Sequence, residues 1–158
     1  MCIHRERMSW NEVVDGMEFY DREVDEFRTE ERFVKIAKGL FDSGLRAVGY
    51  GGMRVTFMSR NGRHVYKVPK NAAGLESNES EAKRSREGWP QLRKLFEDFG
   101  PEKLARCRMA PSGVLVVEKV DVHGFVDRRQ NKWVSAIDAN QVGVGRGGMP
   151  VAYDYGQP

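Results

Sequence analysis

Two strand-length apolar runs flank an Asn-Gly pair, Val55-Thr56-Phe57-Met58 before Asn61-Gly62 and Val65-Tyr66-Lys67-Val68 after it. Asn-Gly favours hairpin turns because both residues tolerate the positive φ that a tight antiparallel connection demands. The middle of the chain is thereby committed to an antiparallel sheet. Pro69, which has no N–H to offer a central ladder, ends the second run. Another strand enters at Arg46 to Val48, ahead of Gly49-Tyr50-Gly51-Gly52, a stretch ill suited to a helix interior. Alternation along the strand puts Lys67 on the face opposite Tyr66 and Val68.

Upstream the period is helical. Trp10, Val13, Met17, Tyr20, Val24 and Phe27 form one stripe, and Ser9 with Glu12 fits a capping box at its start. A second helical piece begins at Thr29, with Phe33, Ala37 and Leu40 on one face, and stops around Ser43-Gly44. Residues 1–45 therefore form an N-terminal helical segment and residues 46–158 the body. The stripe has two readings: packing on the chain's own body, or a heptad-like seam that makes a homo-oligomer.

Downstream, Glu76 to Phe99 predicts a helix that breaks or restarts at Pro90. A second hairpin follows, with Ala105 to Met109, a Pro111-Ser112-Gly113 turn, and a run from Val114 to Val120 apolar enough to be a central strand. The spacing of Phe125, Trp133 and Ile137 predicts a short helix, and two short strands close the chain around Gly147-Gly148. Strands and helices segregate into an α+β fold, an antiparallel sheet with a packed helix.

With 158 residues the chain suits one domain, and at 40% hydrophobic and 31% charged it can build its own core. No apolar run approaches the roughly 20 residues needed to cross a bilayer. The charged start, Met1 to Trp10, lacks a signal-peptide pattern, so the expected compartment is cytoplasmic. Cys2 and Cys107, with His4, His64 and His123, are too scattered for a disulfide scaffold or a zinc module. The net charge of +3 hides an acidic excess before residue 48 and a basic excess after it. That basic body suits a phosphorylated ligand or an acidic partner, but its dispersed cations, without interleaved aromatics, argue against nucleic acid.

The residues with chemical potential lie in a fixed order. Gly49, Gly51 and Gly52 let a backbone approach phosphate oxygens, because absent side chains leave N–H groups open to an anion. Lys67 needs a carboxylate to hold it over a phosphate, and the following helix offers Glu76, Glu79 and Glu81. Asp154 stands at the end of an apolar strand, where a carboxylate can turn toward a cation. Each also has a plain reading, as a hairpin turn, an exposed strand lysine and a turn aspartate.

In that order, glycine-rich hairpin, strand lysine, helix glutamate, hairpin, then Val151-Ala152-Tyr153-Asp154-Tyr155-Gly156, the chain resembles the protein-kinase-like family, in particular its small degenerate members in phage and bacterial genomes. The resemblance implies a small lobe with a truncated large lobe. It places Gly49, Gly51 and Gly52 over the phosphates of ATP, and pairs Lys67 with Glu81, or with Glu79 as the fallback. Glu118 falls at the hinge beside the adenine. Asp154 and Asn140 become ligands of Mg2+, with Tyr155 in place of the family's phenylalanine.

The departures point away from catalysis. Met53 and Arg54 fill the region of the loop's third glycine, no His-Arg-Asp motif occurs, and Asp138 is the nearest acid ahead of Asn140 to serve as a base. The stretch from Glu118 to Asn140 is too short for the helices of a large lobe. The resemblance therefore implies a pseudokinase-type protein that binds and regulates or inhibits a partner protein, such as a phage factor acting on a host protein. The alternatives are an atypical Mg-ATP-dependent phosphotransferase and an oligomerisation module built on the N-terminal helix.

Overall fold

The computed structural model describes residues 29–137 and 141–155. The Trp10 to Phe27 stripe, Asp138, Asn140 and Gly156 lie outside the described residues. Helix α1 (Thr29–Asp42) leads into β1 (Ala47–Tyr50), β2 (Arg54–Met58) and β3 (His64–Pro69). Helices α2 (Ala72–Glu87) and α3 (Pro90–Leu95) and a 3-10 turn at Pro101–Lys103 precede β4 (Cys107–Met109) and β5 (Leu115–Glu118). A second 3-10 turn at Lys132–Ala136 and a separate hairpin, β6 (Val142–Val144) with β7 (Pro150–Ala152), complete the order. The main sheet runs β1-β2-β3-β5-β4 with every pairing antiparallel, so the fold is α+β, β3 is central and β5 is an interior strand between β3 and β4.

Strand alternation divides the core into two layers. Val55, Phe57, Tyr66, Val68 and Val116 face α1, where Ile36 and Leu40, one turn apart, are buried against them. Leu115 and Val117 point the other way, into a cluster with Ala82, Leu92, Phe99 and Trp133. Fully burying side chains of this size contributes about 1.5–3 kcal/mol each, so both sheet faces are fixed and a one-residue slip of register would expose an entire layer. Helix α1 ends where the sequence predicts: the Ser43 N–H donates to the Gly39 carbonyl at 3.1 Å, and Gly44 takes φ 82°.

The structure departs from expectation at two helices. Helix α2 starts at Ala72 rather than Glu76, because Asn71 caps it: its side-chain oxygen accepts from the Gly74 N–H at 2.9 Å. The helix then closes at Gly88, and Pro90 opens α3, as its ring permits at a first turn. No continuous helix spans Phe125 to Ile137. Asp127 captures the backbone N–H of Arg129 at 2.9 Å and of Gln130 at 3.3 Å, a local alternative to helical bonding. Trp133 and Ile137 are buried, whereas Phe125 is 89% exposed, so the three do not share a face. Among the described residues, no helix is long and apolar enough to cross a membrane.

Candidate functional site

The β2–β3 register sets Thr56 opposite Lys67. Because Val55, Phe57, Tyr66 and Val68 face α1, alternation sends Arg54, Thr56 and Lys67 to the opposite face. Helix α2 lies over that face, and its Gly74, Asn78 and Glu81 are spaced to fall on one buried stripe. The Cβ of any larger residue at 74 would stand 2.1 Å from the Met53 carbonyl oxygen. Glycine there lets the first turn of α2 press against the bend between β1 and β2.

Four charges meet beneath that bend. Glu81, with no solvent exposure, accepts from Lys67 Nζ at 3.1 and 3.0 Å, one bond to each carboxylate oxygen. Its Oε1 also lies 2.8 Å from Nη1 of Arg54. Arg54 Nη1 donates to Asn78 Oδ1 at 3.1 Å, while its Nη2 is bound to Asp154 Oδ1. Lys67 Nζ reaches the same Asp154 oxygen at 3.4 Å. Two cations thus balance two carboxylates, which is how buried charge is tolerated. Asn78 uses its other end to donate to the Lys67 carbonyl at 3.0 Å and the Gly113 carbonyl at 2.8 Å, tying α2, β3 and the β4–β5 turn together.

Asp154 is held by its neighbours in sequence. The Ala105 N–H donates to the Ala152 carbonyl at 2.8 Å, and the Tyr155 hydroxyl donates to the Ala105 carbonyl at 2.7 Å. Arg84 contacts the Tyr155 carbonyl and stacks 4.3 Å from the Trp89 ring centroid. Between these anchors Asp154 adopts φ 56°, the one positive φ outside glycine among the described residues. Such a conformation costs about 1–3 kcal/mol and persists where surrounding structure imposes it, commonly at functional sites. Burial pushes the Asp154 carboxyl up, but Lys67 and Arg54 outweigh it and hold the group below the usual carboxylate range. Burial pushes the Tyr155 phenol and the Cys107 thiol up, and the two side chains stand 3.4 Å apart.

These groups line a cleft of about 1170 Å³. The bend carrying Gly49, Gly51 and Gly52 lines it together with Arg54, Lys67, Glu118 and Asp154. Val65, Val117 and Val120 supply apolar surface. The Gly51 N–H closes the bend by donating to the Arg54 carbonyl at 2.9 Å. Neither a positive φ nor internal packing requires glycine at 52, where an added Cβ would meet nothing within 4 Å. Glu118 pairs into the sheet edge: its N–H donates to the Arg106 carbonyl at 2.9 Å and its carboxylate accepts from the Arg106 N–H at 2.8 Å.

Of the residues singled out in the sequence, Gly49, Gly51, Gly52, Lys67, Glu118 and Asp154 meet in this one cleft, with Glu81 buried behind it. Asp138 and Asn140 lie outside the described residues. Sequence reasoning missed the parts played by Arg54 and Asn78. Alternation could have found Arg54, since Val55 and Phe57 are apolar and their neighbours must face the other way. Asn78 stands three residues before Glu81, on the same helix face.

Mg2+ does not fit the arrangement at Asp154. The Asp154 Oδ1 already accepts from Arg54 and stands 3.4 Å from Lys67, and two cations so close oppose a third at the same carboxylate. Among the described residues, no three His, Cys, Asp or Glu side chains gather as a metal-ligating group. No family model, curated protein or solved structure matches the chain.

Proposed function

We propose that the protein is a kinase-like nucleotide-binding domain that works as a pseudokinase-type regulator, binding a partner protein rather than transferring phosphate. The observation that carries this reading is the Lys67 ammonium, bound to Glu81 and 3.4 Å from Asp154 inside a cleft walled by a glycine bend. A lysine fixed by a buried glutamate holds its positive charge at a defined point of the cleft wall, where a phosphate is the natural counter-ion. The apolar patch of Val65, Val117 and Val120 gives a flat base a surface to lie on. Gly52, unneeded by fold or packing, leaves the bend free to approach an anion.

Regulation is favoured over turnover because the sequence carries no His-Arg-Asp motif to supply a base, and Asp154 is engaged by two cations. Phosphoryl transfer needs charge placed for the transition state and a group to orient the nucleophile. The described cleft supplies the first without the second.

Thermal denaturation with increasing ATP, ADP and AMP tests the reading. A nucleotide at 100 times its Kd stabilises the folded state by about 2.7 kcal/mol, which for a chain of this size raises Tm by about 5–10 °C. Lys67→Met should abolish the shift. An unchanged Tm at millimolar nucleotide removes the reading. Transfer of labelled γ-phosphate, lost in Lys67→Met and Asp154→Asn, replaces it with the phosphotransferase alternative.

A further inference from the structure

The residue that fits a metal-dependent nucleotide site least well is Arg54. It is the first residue of β2, directly after the glycine bend, and although the residue is only 9% exposed it lines the cleft. One end of the group is fixed on Glu81 and Asn78, at 2.8 and 3.1 Å, and the other on Asp154. A guanidinium stays protonated at any physiological pH and holds its donors in a rigid plane. This cation is therefore a permanent part of the wall.

A divalent ion on the Asp154 carboxylate would stand within a few ångströms of both Arg54 and Lys67. Magnesium also demands near-ideal octahedral oxygen geometry and gives up its water reluctantly, and a carboxylate already shared between two cations is a poor ligand for it. Arg54 and Lys67 fix two positive charges against this part of the cleft wall, balanced in the free protein by Glu81 and Asp154. Lys70, whose Nζ lies 3.3 Å from the Gly51 carbonyl, adds a cation on the bend itself.

We infer that Arg54 takes the place of the divalent metal, so that the cleft accepts the free polyphosphate of a nucleoside triphosphate rather than its magnesium complex. This deepens the nucleotide-binding reading and rests on it. A phosphate oxygen accepts from the second N–H of Arg54 Nη2, since Nη1 is spent on Glu81 and Asn78, and Lys67, whose three donors are engaged, contributes charge alone. Asp154 then serves to aim Arg54, not to hold a metal.

The experiment is a pair of calorimetric titrations of ATP into the full chain, one in excess EDTA and one in excess magnesium, repeated for Arg54→Ala and Arg54→Lys. The wild type should bind in EDTA at least as tightly as in magnesium. Arg54→Ala should weaken binding in EDTA by about tenfold or more, the loss of one charge-assisted contact, and recover affinity when magnesium is added. Arg54→Lys should keep the metal independence. Wild-type binding that requires magnesium overturns the inference and leaves the nucleotide site standing, whereas no binding in either buffer removes both. Should Arg54→Ala fail to fold, the two wild-type titrations decide the matter alone.

Discussion

Replacing Glu81 by glutamine removes the anion that two buried cations share while nearly preserving the side chain's shape. The glutamine can offer its single oxygen to either Lys67 or Arg54, and its NH2 then faces the donor left over. Each original contact, near 3 Å, is worth about 5 kcal/mol in gross Coulomb terms at an effective dielectric of 20. Most of that is offset by the cost of desolvating the charges, and breaking one side of such a buried pair costs about 3–5 kcal/mol net. Against a total stability of roughly 5–15 kcal/mol, the loss is large. In urea, with a slope of about 2 kcal/mol per molar, the midpoint should fall by about 1.5–2.5 M. The double variant Lys67→Met with Glu81→Gln leaves Arg54 and Asp154 as a balanced pair, and should recover about 1–3 kcal/mol relative to Glu81→Gln alone. A midpoint for Glu81→Gln within half a molar of wild type, or strictly additive single effects, would refute the claim that the four charges form one coupled cluster.

Two helical glycines should respond to alanine with opposite signs. In Gly74→Ala the new methyl meets a backbone carbonyl at 2.1 Å, and overpacking of that kind costs about 1–3 kcal/mol. Gly39, inside α1, has nothing within 4 Å of an added Cβ, so Gly39→Ala should stabilise by about 0.5–1 kcal/mol through helix propensity alone; urea midpoints of the two variants check both. Asp154 has a folded pKa below its ordinary value, so its stabilising contribution is present above the usual carboxyl range and disappears as pH falls through the folded pKa. Asp154→Asn, which tolerates the left-handed backbone, should be less stable than wild type near neutral pH, and the two curves should converge below about pH 4. Parallel curves down to strong acid would contradict the ion-pair account.

How far the sequence reached depended on whether the signal was periodic. The β2 and β3 strands, the interior β5 strand and the stop of α1 at Gly44 were all legible, because apolar alternation and glycine punctuation act locally. The Lys67–Glu81 pair was reached only as what the family resemblance implied, because the helix spacing alone left Glu76, Glu79 and Glu81 open. The start of α2 was misplaced because its cap is a single side chain, Asn71, whose effect depends on one bond to Gly74. Phe125 shares its spacing with Trp133 and Ile137, but one aspartate, Asp127, diverts the intervening N–H groups from a helix. Arg54 was visible only as a filler of the glycine loop. Its engagement with Glu81 is a tertiary matter, set by which way β2 faces and how closely α2 lies.

The close approach of Gly74 to the Met53 carbonyl, which leaves no room for a Cβ, is one of several ties between α2 and the mouth of the cleft. The same carbonyl accepts from the Lys70 N–H at 2.8 Å, and Arg54, where the bend ends, is bound to Asn78 and Glu81 of α2. Helix and bend are therefore one mechanical unit, and a displacement of α2 relative to the sheet is passed on to the rim of the cleft.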